Sequence, residues 1–455
     1  WRSHGAAGAG HLRQDVLSEA MSQKSRYPSY TNSESPFIGD VPTHWRVLRL
    51  ANLGDFRKGR GIAKKDITED GLPAILYGDI YTKYDVHTAT LQRRIGNETA
   101  KGAEPIRSGD ILLTASGETV EDIGKTVTYL GSEKAYAGGD VNILRPRIGD
   151  SRFLSYSLNS HSAQVQKARQ ARGEIVVHIY NSSIRDIRIP YPPLEEQQAI
   201  ATWLDERTAR IDTLIAKKQR LIELLQEKRQ AVISKAVTRG LEPHVKLKDS
   251  GIPWLGEVPE HWEVDKFSRI VRIAEGQVNP EVEPFLDMLL IAPNHIQSRS
   301  GQLIERETAA EQGAESGKYL CPSGSVIYSK IRPALRKATI APEECLCSAD
   351  MYPMTGVNGM TNPYLLWLIL SDGFSEWVVL DSERVAMPKV NRETLNDYWL
   401  PLPPTQEQEA IVSFIDDQTS HIDSLLDKAI SAREKLQEYR SSLISAAVTG
   451  QIKVC

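Results

Sequence analysis

Tyr191-Pro192-Pro193-Leu194-Glu195-Glu196-Gln197-Gln198-Ala199-Ile200 is answered later in the chain by Leu402-Pro403-Pro404-Thr405-Gln406-Glu407-Gln408-Glu409-Ala410-Ile411. Both copies continue through an Ile-Asp step, Ile211-Asp212 and Ile422-Asp423. They close on matching tails, Ser234-Lys235-Ala236-Val237-Thr238 and Ser445-Ala446-Ala447-Val448-Thr449. A direct repeat of about 210 residues is far too long for a solenoid unit. It reads as a duplicated domain, each copy followed by a duplicated long helix. The prolines suit the entrance to such a helix, because the first N–H groups have no intrahelical partner. Thr405 and Gln408 have capping-box spacing, whereas Leu194 leaves the first copy without that cap.

Apolar residues in the first helix recur at spacings of three, four and seven. The expected seam is Ile200, Leu204, Ile211, Leu214, Leu221, Leu225 and Val232. In the second helix it is Ile411, Ile415, Ile422, Leu425, Ala432, Leu436, Tyr439 and Leu443, with Lys218 and Ala429 as soft points on the two seams. The remaining faces are charged. A helix of about 45 residues is roughly 65 Å long at 1.5 Å per residue. One small domain cannot cover such a stripe, so the other copy is its expected partner. Two copies in one chain pair with pseudo-two-fold symmetry if they run antiparallel. That would place one domain at each end of a rod, suited to two separated sites on an elongated ligand such as DNA.

A second internal match precedes each globular segment: Gly39-Asp40-Val41-Pro42-Thr43-His44-Trp45 and Gly256-Glu257-Val258-Pro259-Glu260-His261-Trp262. The turn glycine and proline predict an irregular lead-in, anchored to the core by its Trp. Short apolar runs behind Ser-Gly turns, 110–114 and 325–329, predict strands, with weaker strands at 140–144 and 349–353. Segments 153–172 and 363–379 read as helices. The expected fold class is α+β: two mixed α/β domains joined by two long helices that form an antiparallel coiled coil. The blocks are 21–190, helix 191–240, 241–401 and helix 402–455, with 1–20 read as a non-native leader ahead of Met21.

Apolar residues make up 40% and charged residues 25% of the 455, an ordinary globular balance. No run is apolar enough to span a bilayer and no secretory pattern opens the chain, so the expectation is a cytoplasmic protein without a membrane partner. Cys321, Cys345, Cys347 and Cys455 form no CxxC pair and read as reduced thiols. A net charge of −4 decides nothing about nucleic acid, because a DNA binder needs a local basic stripe. Two loops supply candidates. Arg57, Lys58, Arg60, Lys64 and Lys65 crowd one of them, beside Gly59 and Gly61. Lys330, Arg332, Arg336 and Lys337 crowd the other. Such residues neutralise phosphates, and a few can reach guanine edges. Lys125, Gln277, Asn294 and His295 complete the DNA-binding candidates, and Tyr77 and Asp79 are further polar neighbours.

Catalytic signals are near-misses. Gly117 and Gly124 stand too far apart for the phosphate loop that Gly124-Lys125-Thr126 suggests, and Asn362-Pro363-Tyr364 lacks the second proline of an adenine methyltransferase tetrad. There is no H-E-x-x-H, no G-x-S-x-G and no convincing nuclease core. No metal set is expected and no catalytic residue is assigned.

Two variable domains, each followed by a Pro-Pro-x-x-E-Q-x-x-I helix, resemble the specificity subunit of Type I restriction–modification enzymes. The lead-in from Trp254 to Trp262 is similar to that family as well. The resemblance covers essentially Tyr27 to Gln451. It implies that each globular segment is a target recognition domain reading one half of a bipartite, asymmetric site on double-stranded DNA. The paired helices would set the spacer and dock two methyltransferase subunits, which endonuclease/translocase subunits would join. S-adenosylmethionine, ATP and magnesium would belong to those partners, and this chain would make no bond itself. Ser116-Gly117-Glu118 has no close counterpart to Lys330-Ile331-Arg332-Pro333, so the half-sites are expected to differ. The competing functions are a coiled-coil scaffold for two protein partners without DNA reading, and a stand-alone DNA methyltransferase with a degenerate site.

Overall fold

The computed structural model describes residues 26–173, 176–253, 255–382 and 389–454. The leader segment 1–20, Trp254 and Cys455 lie outside the described residues. Architecture is α+β, with two long helices, Leu194–Arg239 and Thr405–Val448. The compact units do not follow sequence order. One contains residues up to 218 together with 431–455, and the other contains 219–430. Each unit therefore holds one globular domain, part of one long helix and part of the other.

In the first unit the central strand is Ile111–Thr114, entered through Gly109 at φ +90°. It pairs antiparallel with Val141–Pro146 on one side and Thr126–Tyr129 on the other. Gly54–Lys58 and His87–Thr88 complete this five-stranded sheet. A second five-stranded sheet is built from 67–68, 93–95, 72–75, 135–137 and 104–106. Side chains alternate faces along a strand. Ile111 and Leu113 accordingly enter the core shared with the long helices, while Leu112 enters a separate core with Ile75, Val127 and Ile143. A strand covered on both faces reads as a continuous apolar run, which is why 111–113 carries no polar alternation.

The second unit repeats this plan with fewer strands. Its central strand Val326–Ser329 lies between Met351–Gly356 and Ala338–Ile340, with Val271–Ile273 at the edge. Val326 and Tyr328 enter the core with the helices, and Ile327 enters a smaller one with Cys321, Cys345 and Cys347. These three thiols are free and buried. A hydrogen bond with Cys321, followed by burial, pushes the Cys345 thiol far above its ordinary range. Such a thiol is a packing group rather than a nucleophile.

Two predicted helices are each two helices. Ser151–Leu158 and His161–Gln170 are separated at Asn159, whose side chain pairs with both backbone groups of Thr126 at 3.0 and 2.7 Å. Asn362–Leu370 and Asp372–Ser382 are separated at Ser371, whose hydroxyl donates to Leu368 O at 2.6 Å. Side-chain bonds to backbone compete with the helical ladder at these points. The lead-ins also differ from expectation. Asp40–Pro42 and Glu257–Pro259 are short strands, paired with Tyr30–Asn32 and Leu247–Asp249, each ending at its proline.

The seam shifts in register. Ile200, Leu204, Ile211, Leu225, Ile411, Ile415, Ile422 and Leu443 are buried, and Leu436 packs against the first core. Leu214, Leu221 and Leu425 are 46%, 41% and 38% exposed. The face turned inward carries Thr208, Ile211, Ile215, Lys218, Ile222, Leu225 and Arg229 instead. These follow a three–four alternation in which Ile215 and Ile222 stand inward beside Leu214 and Leu221, the residues expected in the seam.

Candidate nucleic-acid interface

The long helices are fastened to the domains by one set of residues used twice. Glu196 accepts from the Trp45 indole at 3.0 Å and pairs with His44 at 2.7 Å. Glu407 accepts from the Trp262 indole at 3.0 Å and pairs with His261 at 2.8 Å. Gln197 donates to Pro192 O at 2.8 Å and accepts from Asp150 N at 2.9 Å. Gln408 donates to Pro403 O at 2.9 Å and accepts from Thr361 N at 2.9 Å. The Gln408 amide is thus spent on docking the helix to its domain and not on a capping box with Thr405. The lead-in Trp binds the helix carboxylate as well as packing in the core.

The helices run antiparallel where they meet inside each unit. Arg440 reaches Asp212 through Nε at 2.7 Å and Nη2 at 3.2 Å. Arg229 reaches Asp423 at 2.8 and 3.2 Å through the same two nitrogens. Each arginine also holds a domain: Arg440 bonds Asp85, and Arg229 donates to Arg299 O at 2.7 Å. Gly240 and Gly450 follow the helices at φ +70° and +74°. A Cβ on Gly240 would meet the Glu407 carboxylate and the Trp262 ring, and one on Gly450 would lie 2.4 Å from Pro42. Both positions need the left-handed backbone and the missing side chain.

Several basic candidates are already engaged. Arg57 and Arg60 pair with the buried Glu104 at 3.1 and 3.4 Å. Lys125 donates to Tyr81 O and Tyr84 O at 3.1 and 2.8 Å, and burial lowers its pKa. Arg336 is held by Asp372 at 2.6 Å, and Lys337 donates to Pro293 O at 2.6 Å. His295 is buried, its Nδ1 accepting from Ala292 N at 3.3 Å. Lys125, Arg336, Lys337 and His295 therefore serve the fold. Lys58, Lys64, Lys65 and Arg332 are exposed and form no ion pair among the described residues, and Gln277 and Asn294 are exposed too. Lys330 lies 5.3 Å above the Tyr352 ring.

Sequence reading missed a cluster at one end of the first domain's main sheet. A cavity of about 440 Å³ is lined there by Lys58, Asp140, Asn142, His178, Tyr180 and Asn181, among others. His178 stacks on the half-exposed Tyr180 ring, with centroids 6.5 Å apart and planes 27° apart. Ser116 Oγ fixes His178 Nδ1 at 2.9 Å. Asn181 donates to Arg57 O at 3.0 Å, while its buried Oδ1 has no hydrogen-bond partner among the described residues. These residues come from four separated segments, so no local spacing could have flagged the cluster. Among the described residues, no group of His, Cys, Asp and Glu could hold a metal ion, and no helix is long and apolar enough to cross a membrane.

Comparison with known proteins bears on both repeats. The family model for the Type I restriction modification DNA specificity domain matches residues 42–224 and 292–431. The EcoDI Type I restriction enzyme specificity subunit of Escherichia coli is 27% identical over 71% of this chain and 74% of its own length. The MjaVIII specificity subunit of Methanocaldococcus jannaschii is 23% identical over 91% of this chain and 94% of its own. A chain from a solved structure on complex assembly and conformational transition of the type I R-M system shares the fold. Its TM-score is 0.66 at 15% identity, covering 90% of this chain and 98% of that one.

Proposed function

This chain belongs to the family of Type I restriction–modification DNA specificity domains, and from that premise we propose that it is the non-catalytic subunit that selects the DNA sequence for a cytoplasmic methyltransferase and endonuclease complex. The observation that carries the proposal is the duplication itself. Two sheet-containing domains are each fastened to a long helix by the same Glu, Gln and Trp contacts, and the family match spans both repeats. Each domain reads one half of a bipartite target, and the long helices set an unread gap of constant length. Different loops on the two domains make the target asymmetric. S-adenosylmethionine, ATP and magnesium are bound by the partner subunits, and this chain supplies the address.

Docking of two methyltransferase copies is supported by the leucines that left the seam. Leu214 and Leu425 occupy the same step of the two helix copies, both exposed. A duplicated apolar contact on a duplicated helix fits two copies of one partner.

The test is co-expression with the cognate methyltransferase subunit and mapping of modified adenines across the host genome. A single two-part motif with a constant gap is the expected result. A stable complex that leaves no methylation, or a motif in one piece, would overturn the proposal.

A further inference from the structure

The two domains can be aligned through their own backbone hydrogen bonds, without reference to any relative. In the first, Ala115 N donates to Asp140 O at 2.8 Å, and Ile179 N to Ala115 O at 2.9 Å. In the second, Lys330 N donates to Asp350 O at 3.0 Å, and Val390 N to Lys330 O at 2.8 Å. Strand registers agree: Leu113 faces Asn142 as Tyr328 faces Tyr352. Ala115, Asp140, Asn142, His178, Tyr180 and Asn181 thus occupy the positions of Lys330, Asp350, Tyr352, Lys389, Asn391 and Arg392. Asn181 and Arg392 even make the same attachment to the edge strand. Asn181 donates to Arg57 O at 3.0 Å, and Arg392 to Ile273 O and Ala274 O at 3.4 and 2.6 Å.

The side chains at these positions differ in kind. The first domain carries a carboxylate, an unpaired amide oxygen and a stacked His–Tyr pair. The second carries Lys330 and Arg392, each 5.3 Å from the Tyr352 ring, with Lys389 exposed beside them. Neither Asp140 nor Lys389 has an ion-pair partner among the described residues. Three cations around one strand end, with Glu275 at 3.4 Å from Arg392 as their one ion-pair partner among the described residues, are costly to gather without an anionic or acceptor-rich ligand.

We propose that the members of this matched set that reach the surface, Asp140 and Tyr180 in the first domain and Lys330 and Lys389 in the second, are the base-reading residues. This rests on the proposed role in DNA selection and names where the selection is made. In the second domain Lys330 and Lys389 donate to O6 and N7 of a guanine, the major-groove edge that offers two acceptors. In the first domain Asp140 accepts from the exocyclic amino group of a base, with Lys58 on a flanking phosphate and Tyr180 stacked against the duplex edge. The duplication supplies one frame, and the exchange of donors for acceptors within it makes the two half-sites unlike.

The experiment uses this chain in complex with its methyltransferase partner, with modified adenines mapped in cells carrying K330A, K389A, D140A or Y180A. Lys389 and Tyr180 are exposed, so their variants keep the fold even if another does not. Expected for K330A and K389A is relaxation at one guanine of one half, with methylation of one-base neighbours rising about ten-fold or more, as for loss of a base contact. D140A and Y180A should relax only the other half. Unchanged specificity in all four, relaxation in the wrong half, or a uniform loss across sequences, which marks phosphate contact alone, would overturn the inference. A wild-type complex without a two-part motif would instead sink the proposed role itself.

Discussion

Asp205 and Asp416 stand at the same step of the two long helices, yet their surroundings are unlike. Asp205 is gripped by His87 at 2.8 Å, Tyr156 at 2.8 Å and Arg152 at 2.9 Å. Burial works to raise its pKa, but the bonds from His87 and Tyr156 and the Arg152 charge hold it below the ordinary value. Among the described residues the Asp416 carboxylate has only the Trp367 indole, at 3.0 Å, and burial leaves its pKa raised. Lys167 and Val378 form a second such pair. Both are fully buried, on helices whose first turns are anchored alike: His161 N donates to Ser445 Oγ at 3.1 Å and Asp372 N to Ser234 Oγ at 3.0 Å. The Glu–Trp, Glu–His and Gln–backbone bonds at the entrance of each long helix, by contrast, recur in both copies. The contacts that fix the start of a helix to its lead-in leave little freedom after duplication, whereas those about two turns further along do not. Positions facing a domain's own interior or its ligand can diverge, provided each domain satisfies them locally.

The largest effect should come from Lys167. Its ammonium has one partner among the described residues, Gly124 O at 2.7 Å, and burial brings its pKa down to about 7. Between pH 7 and 10.5 the unfolded chain holds a proton that the folded chain has released, so stability rises with pH across that window. Below pH 7 both states are protonated and the cost of the buried charge is fully present. K167M should therefore raise the stability of the first unit at neutral pH by a few kcal/mol. The gain should shrink as pH climbs, in urea melts followed from pH 6 to 10. A gain independent of pH would show that Lys167 is charged and paired, and the contrast with Val378 would fail. Next in size is the clasp. E196A and E407A each leave a largely buried indole N–H without its acceptor, costing about 2 kcal/mol. Denaturation midpoints should fall by similar amounts in the two variants; a large inequality would break the equivalence of the two fastenings.

Smaller, and opposite in sense, are the aspartates. D205N loses charge-assisted bonds to His87 and Arg152 and should cost about 1–2 kcal/mol at pH 7. Because the folded pKa of Asp205 is depressed, that contribution is present above the unfolded pKa and fades as pH falls through the folded one. Asp416 has a raised pKa, so it favours the folded state more as it becomes protonated. D416N should be within about 0.5 kcal/mol of wild type or slightly stabilising. Equal losses from both substitutions, measured at pH 7 and at pH 4, would erase the distinction.

Much of the scaffold was legible because it is written in periodicity and repetition. The long helices, the central strands 111–114 and 326–329 and the antiparallel pairing all follow from apolar spacing and the duplicated Pro-Pro-x-x-E-Q. The breaks at Asn159 and Ser371 were not legible, since each depends on a side-chain bond to backbone that no hydropathy pattern encodes. The cluster around Asp140 was hidden for a different reason. Asp140, His178 and Asn181 are brought together only by sheet registers and a β-bridge between distant segments. Lys58 and Lys330 were singled out by local charge density. The same rule also selected Arg336 and Lys337, which are tied to Asp372 and Pro293 O. Charge counting finds cations, and only the three-dimensional partners show which of them are spoken for.

The smallest effect on folding should have a large effect on assembly. Leu214 and Leu425 were expected in the seam because leucines dominate the heptad count. They lie outside it because Thr208, Ile215, Ile222 and Arg229 hold inward positions of the first helix that the expected seam did not include. An exposed leucine exchanged for a charge should shift stability by no more than about 0.5 kcal/mol. If the two leucines face two copies of one methyltransferase subunit, L214E should leave a complex with one copy and L425E should do the same. The double variant should bind none, read as complex mass by light scattering. Variants that all retain two copies, with melting unchanged, would show that the exposed leucines are ordinary surface and that the partner grips the helices elsewhere. A single variant that loses both copies would show that the two sites are coupled, a dependence that two independent copies of a docking face do not supply.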